Sequence, residues 1–298
     1  MAVPVRIPQG PLYLEIDGHR VNPMSSIHVF RAALEYQPKP DDKFVVTFPK
    51  SGTTWTQQIG YLIFHEGASP SSAKDFHDYS PFMEVIGVNA SVDKGLARFI
   101  KTHFPYNLVP KNPQTKYLYV CRNPKDVCVS FYYHTCRFYC YEFLEGQFAD
   151  FFELFMNGGT EYGDYFQHVL SWYEHRHDPN VMFINYEDMK AEPKNSILKI
   201  AEFLSKDHYK ILMKDSHMLK NVIERSGIDY MKTTAKDVFQ NLFPGAASDA
   251  RTSFIRKGIV GDWKEHFSPE MNTRMEEKIL AKLAHTDLIR LWREYNIM

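Results

Sequence analysis

Side chains that hold anions or move protons recur in this chain just after short apolar runs. The first run is Phe44-Val45-Val46-Thr47-Phe48, which breaks at Pro49 and leads into Lys50-Ser51-Gly52-Thr53-Thr54-Trp55. Its β-branched and aromatic residues predict a buried strand, and the amphipathic pattern from Trp55 to Phe64 predicts a helix. Between them Gly52 lets the backbone approach a ligand, while Ser51, Thr53 and Thr54 offer hydroxyls. The free N–H groups of a helix start concentrate positive potential, and Lys50 adds a full charge. Anion binding is the chemistry these residues predict, although they also suit an ordinary strand-to-helix connection. The usual nucleotide loop, GxxxxGK[ST], is absent: Pro49 stands where its second glycine belongs, and Gly52 follows the lysine.

Two further runs end in comparable groups. Arg98 to His103 reads as a strand that stops at Pro105 and carries Lys101 and His103 at its end; Lys116 to Cys121 reads as another, ending at Arg122-Asn123-Pro124. Pro124 suits the first turn of a helix on which Ser130 stands two turns along. Near the C-terminus Arg256-Lys257-Gly258 precedes Gly261-Asp262-Trp263-Lys264. Singly, each lysine or arginine reads as a solvated surface charge and His103 as a structural histidine. Together they matter more, because ligands of open parallel sheets sit beyond the carboxyl ends of the strands.

The elements that must position these groups alternate. Helical pattern recurs over Glu161 to Arg176 and Asn195 to Leu204, with a strand over Val181 to Asn185 between them. This predicts an α/β fold: one domain over residues 1–298, with a central, mainly parallel sheet flanked by helices and a P-loop-like anion loop. Residues 1–40 read as an arm with a short helix over Phe30 to Tyr36. Gly67 to Lys94 reads as loop-rich, its Phe76, Tyr79, Phe82 and Met83 forming either a lid or packing beneath the loop. Periodicity fades from Gly227 to Gly261, where Pro244 to Ser248 marks a flexible loop, and Glu270 to Tyr295 closes the chain as a helical segment.

Composition sets outer limits. Of the 298 residues, 44% are hydrophobic and 24% charged, with a formal net charge of -1, so nothing points to nucleic acid as a partner. No signal-like start or membrane-spanning run is visible, and a cytoplasmic protein without a membrane partner is expected. The four cysteines, Cys121, Cys128, Cys136 and Cys140, lack CxxC spacing. Free, mostly buried thiols and no metal site are therefore expected.

The segments PKSGTTW, KTHFP, CRNPKDVCVS, INYEDM and FIRKGIVGDWK follow one another in the order and approximate spacing of the cytosolic sulfotransferases, which the chain resembles over nearly its whole length. That family moves a sulfonate group from 3′-phosphoadenosine 5′-phosphosulfate to a hydroxyl or amine, leaving 3′-phosphoadenosine 5′-phosphate. The resemblance implies that Lys50, Ser51, Gly52, Thr53 and Thr54 bind the phosphosulfate and that Trp55 stacks on adenine. It implies that Arg122, Ser130, Arg256, Lys257 and Gly258 hold the 3′-phosphate, that Tyr186, Ser226 and Met231 lie near the base, and that Lys50, Lys101 and His103 serve the reaction. Ile228 stands where the family commonly has a second stacking aromatic. After Gly261-Asp262-Trp263-Lys264, Ser268, Pro269 and Thr273 replace the family's dimerisation pattern, which puts a homodimer built that way in doubt.

For a small-molecule acceptor, a phenol or phenolic amine, the pocket candidates are Phe82, Met83, Phe138, Tyr139 and Tyr141. Glu84 and Glu142 are either partners for an acceptor amine or solvated loop carboxylates. Two rival readings are a P-loop kinase, against which the missing GxxxxGK[ST] order speaks, and a nucleotide-binding protein without turnover.

Overall fold

The computed structural model describes residues 1–88, 99–240, 245–246 and 255–298. The chain opens with a three-stranded antiparallel sheet of β1 (Ala2–Arg6), β2 (Leu12–Ile16) and β3 (His19–Val21), followed by α1 (Ile27–Leu34). The expected arm is thus a small sheet and an earlier helix. Its strands are short and β1 is largely exposed, which leaves little alternation to read. Tyr13, Ile16, Val21 and Phe30 nevertheless join the main core.

An alternating section follows, with β4 (Lys43–Thr47), α2 (Thr53–Phe64), α3 (Ala73–Tyr79), β5 (Phe99–Thr102), β6 (Lys116–Cys121) and α4 (Pro124–Arg137). It continues through α5 (Phe148–Met156), α6 (Tyr165–Tyr173) and β7 (Val181–Asn185). The four strands form a parallel sheet in the order β5-β4-β6-β7. Helices α7 (Tyr186–Ala191), α8 (Pro193–Leu204), α9 (Lys206–Lys214), α10 (Ser216–Ser226), α11 (Ile228–Lys232), α12 (Lys236–Gln240), α13 (Pro269–Leu283) and α14 (Leu288–Glu294) complete a mixed α/β architecture.

Both faces of the sheet are covered, which is why its strands read as unbroken apolar runs. Phe44, Val46, Ile100, Tyr117, Tyr119 and Cys121 point into one core, shared with Val127 and Phe131 of α4. Val45, Phe99, Leu118, Val120 and Ile184 point into the other, shared with Ile59, Leu62 and Ile63 of α2. The contact between α2 and β5 is close: a Cβ on Gly60 would lie 2.4 Å from the Phe99 ring. Register aligns the strand ends, pairing Val46 with Thr102, Thr47 with Val120, and Cys121 with Asn185. The strand order reverses at β4, so the loops after β4, β5 and β6 open into one crevice.

Some boundaries differ from expectation. The supposed loop from Gly67 contains α3, capped by Ser72 accepting from the Asp75 N–H at 3.1 Å, and residues 89–94 of that stretch lie outside the described residues. The helix expected from Glu161 starts only at Tyr165, because Gly163 turns at φ 80° and Asp164 caps the first turn. In the region of fading periodicity lie α11 and α12, while residues 244, 247 and 248 of the expected loop are outside the described set. The last helical segment is two helices. Ser268 and Pro269, from the altered dimerisation pattern, form the N-cap and first turn of α13. Cys121, Cys128 and Cys136 are buried, and no disulfide links the four thiols.

Candidate active site

A cavity of about 390 Å³ opens at the carboxyl ends of β4, β5 and β6, within the size range of small-molecule sites. Its first wall is the loop between β4 and α2. Lys50 takes φ 70° and Gly52 φ 106°, a tight turn closed by the Ser51 N–H donating to the Phe48 carbonyl at 3.2 Å. A Cβ at Gly52 would lie 2.8 Å from the Tyr186 ring, so no larger residue fits without displacement. Thr47 and Thr53 tie the strand end to the helix start through hydroxyls 2.7 Å apart. Lys50, Gly52, Thr53, Thr54 and Trp55 line the cavity. Ser51 is buried behind them, and its Oγ has no hydrogen-bond partner among the described residues.

The strand end after β6 supplies Arg122. Its guanidinium lies 4.3 Å from the Tyr186 ring centre and donates to the carbonyls of Lys50, at 3.3 Å, and Ile259, at 3.2 Å. Asn123 caps α4, and Asp126 in its first turn accepts the N–H groups of Gly261 and Trp263 at 2.8 and 3.0 Å. Those bonds hold the C-terminal turn over α4, so Arg256, Lys257, Gly258 and Ser130 face the same cavity. Arg256 and Lys257 both bond to Asp262, Lys257 at 2.7 Å. They are therefore held side chains and not a solvated turn. Asp262, Glu265 and His266 do present ligand atoms within 4.8 Å of one another, but the two cations already occupy both Asp262 oxygens.

The far side of this end is formed by Tyr186, Ser226, Ile228 and Met231. Ile228 packs so closely on Gly258 that a Cβ there would meet its Cδ1 at 1.8 Å. Trp55 meets Tyr186 edge-on at 5.3 Å.

At the end of β5 the cavity changes character. His103 Nδ1 lies 2.8 Å from the Thr47 carbonyl, and a carbonyl can only accept. The proton therefore sits on Nδ1, which leaves Nε2 with the ring's lone pair. Burial, reinforced by the Lys101 charge, holds this imidazole well below its ordinary range, so it is neutral at pH 7. Its main chain is clamped on both sides. Glu84 accepts the His103 N–H at 2.6 Å, and His168 Nε2 donates to the His103 carbonyl at 2.9 Å. Lys101 Nζ stands 3.8 Å from the centre of the Phe82 ring, which meets the His103 ring edge-on at 5.1 Å.

Charge is crowded here. Burial lowers Lys50 to about 7, helped by repulsion from Lys101, Arg122, Arg137 and Arg256. Lys101 is lowered to about 8 by burial, which outweighs the attraction of Glu84 and Glu161. Cations gathered against such costs define a place for an anion carrying several charges.

The acceptor side differs most from expectation. Phe82 lines the cavity, but Phe138, Met83 and Tyr141 are buried in the main core and Tyr139 is 55% exposed; none of the four lines it. Lying in or near loops is what groups them in the sequence, whereas Met83, Phe138 and Tyr141 are core residues and Tyr139 stands in an exposed 3-10 turn. Glu84 is neither solvated nor in the cavity. It is fully buried behind His103, where burial raises its carboxyl to about 7. Glu142 is half-exposed and pairs with Arg6. In their place the cavity presents Asn22, Met24, His134, Arg137 and Glu161. His134 and Arg137 follow Ser130 on α4 at helical spacing, the one signal that could have found them. Asn22, Met24 and Glu161 had no local signal.

Comparison with known proteins agrees with this geometry. Residues 40–287 match the sulfotransferase domain family. Human sulfotransferase 1E1 is 33% identical over 85% of this chain and 87% of its own length. A rabbit amine sulfotransferase is 34% identical over 87% of this chain and 86% of its own. The crystal structure of mouse sulfotransferase SULT7A1 complexed with PAP superposes with a TM-score of 0.74 at 28% identity, covering 95% of this chain and 98% of the mouse chain. A strand-loop-helix anion site outside the kinase pattern, carried on this sheet and matched over most of the sequence, places the chain in the cytosolic sulfotransferase family.

Proposed function

We propose that this chain, acting as one domain, transfers the sulfonate of 3′-phosphoadenosine 5′-phosphosulfate to the hydroxyl of a phenol or phenolic amine, with His103 as general base. The observation that carries this reading is the convergence of Lys50, Lys101, Arg122 and Arg256 on one cavity, together with Ser51 Oγ and Arg122 Nε, which have no hydrogen-bond partner among the described residues. Buried donors and costly cations fit a polyanion. The mouse relative was crystallised with PAP, the desulfated nucleotide of this donor. Lys50 and the Ser51–Thr54 loop would hold its phosphosulfate end. Arg122, Ser130, Arg256, Lys257 and the Gly258 backbone would hold its 3′-phosphate, and Trp55, Tyr186, Ser226, Ile228 and Met231 would enclose adenine.

When bound, the donor supplies the sulfonate. A phenol, with a pKa of about 10, needs its proton removed as it attacks. Nε2 of His103 is the lone-pair nitrogen able to take it, since Nδ1 is committed to Thr47. Lys50 and Lys101 would stabilise the charge that develops on the departing phosphate, as a metal ion does in phosphoryl transfer. Burial is the main cause of the depressed basicity of His103, and bound phosphates that offset Lys101 and Lys50 would recover the smaller, electrostatic part of it. A cytoplasmic location goes with this reading, as the family resemblance implies.

The decisive experiment is an assay with this donor against simple phenols, phenolic amines and steroids. Transfer to a phenol class is expected. ATP- and Mg²⁺-dependent phosphorylation of the same compounds, without response to phosphosulfate, would reverse the reading.

A further inference from the structure

Seven cations line the cavity, Lys50, Lys101, Arg122, Arg137, Lys190, Arg256 and Lys257, and among the described lining residues Glu161 is the one carboxylate. It is 3% exposed, and its hydrogen bonds among the described residues come from a single donor, the Tyr141 hydroxyl, at 3.0 Å to each oxygen. A carboxylate can accept about four such bonds. Its position is built into the fold. Glu161 sits in the turn between α5 and α6, where Gly158, Tyr162 and Gly163 all take positive φ. The neighbouring Tyr162 N–H donates to the Arg20 carbonyl at 2.9 Å, and Arg20 in turn donates to the Gly159 carbonyl. The Tyr162 ring meets the His103 ring at 5.2 Å, which fixes this turn beside the base and away from the adenine end.

We propose that Glu161 selects the acceptor by receiving its protonated amine, so that the preferred substrate is a phenol carrying an ammonium group and not a neutral phenol. This rests on the sulfotransferase reading and narrows it. An ammonium brings donors to an acceptor that has one, and its charge meets a carboxylate buried at a cost. Burial holds the Glu161 carboxyl up at about 8, against the pull of Tyr141, Lys101 and Lys50, and a cation beside it would return it to the ionised form.

The test compares tyramine with 4-propylphenol, its neutral counterpart of similar shape, on the wild type and on Glu161→Gln. In the variant kcat/KM for tyramine should fall about 10- to 100-fold while that for 4-propylphenol stays within about threefold. Unchanged binding of 3′-phosphoadenosine 5′-phosphate by calorimetry shows that the variant is folded, and Glu161→Asp should restore part of the preference. An equal fall with both acceptors, or no fall with either, would overturn the inference. A wild type that sulfonates 4-propylphenol but not tyramine also overturns it and leaves the transferase reading intact. Failure with both acceptors overturns it as well, and failure to bind the nucleotide in addition removes the transferase reading itself.

Discussion

The two ends of the cavity are built by different means. At the donor end, Lys50, Arg122 and Tyr186 each stand just beyond a strand of one sheet, so parallel register is enough to bring them together. Two parts arrive from elsewhere: Ser226, Ile228 and Met231 come from α10 and α11, and the turn carrying Arg256 is fastened by two hydrogen bonds to Asp126. At the acceptor end, Met24 follows the N-terminal sheet, Phe82 precedes β5, His134 and Arg137 ride on α4, and Glu161 occupies the turn before α6. No common element aligns these. The difference teaches that a polyanion site can be fixed by short pieces of backbone, while acceptor choice depends on remote segments meeting through side chains. His103 stands on the seam, with its ring tied to β4 and its main chain to Glu84 and His168.

Perturbing the seam should have the largest effect. His103→Ala is expected to lower kcat by about 10²- to 10⁴-fold while affinity for 3′-phosphoadenosine 5′-phosphate stays within about twofold, because a base acts in the transition state and not in nucleotide binding. Near-normal turnover would remove the base from His103. At the donor end, Arg256→Ala should weaken calorimetric nucleotide affinity about 10- to 100-fold, the loss of charge-assisted bonds worth about 1.5–3 kcal/mol, and change the acceptor KM little. If the acceptor KM moved instead, the two ends would not be separable. The acceptor-end counterpart is the Glu161→Gln comparison above.

A smaller effect is expected from pH. Lys50 is held at about 7 in the free protein, and a bound anion raises that value. The binding contribution of its charge is then fully present below about 7 and is lost as pH rises through the higher, bound value. Nucleotide affinity should fall several-fold over that window, with proton uptake on binding detected by calorimetry in buffers of different ionisation enthalpy. Proton release would contradict it. The smallest effect belongs to Tyr139→Ala: this ring is exposed and off the cavity, so acceptor KM should stay within about twofold and stability within about 0.5 kcal/mol. A large rise in KM would mean that the acceptor end extends past Phe82 to this turn.

What the sequence by itself determined is the parallel sheet and the row of polar groups at its strand ends; the rest of the proposed donor end came with the family motifs. Val45 and Val46, or Leu118 and Tyr119, alternate between two covered faces, and an apolar run that ends at a glycine, proline or cation is a signal carried within about ten residues. Lys50, Lys101, His103 and Arg122 could be named because each directly follows or ends such a run. Tertiary structure alone decided the acceptor end. Glu84 reads as a loop carboxylate in the sequence and Glu161 as the first residue of a helix, yet Glu84 is sealed behind His103 and Glu161 sits in a turn that lines the cavity. Phe82 and Phe138 are both apolar residues beside a loop, and only Phe82 reaches the site. The reason is physical: strand and helix periodicity is local, whereas the direction a loop side chain takes is set by partners such as Arg20 and Tyr141, which chain order does not reveal.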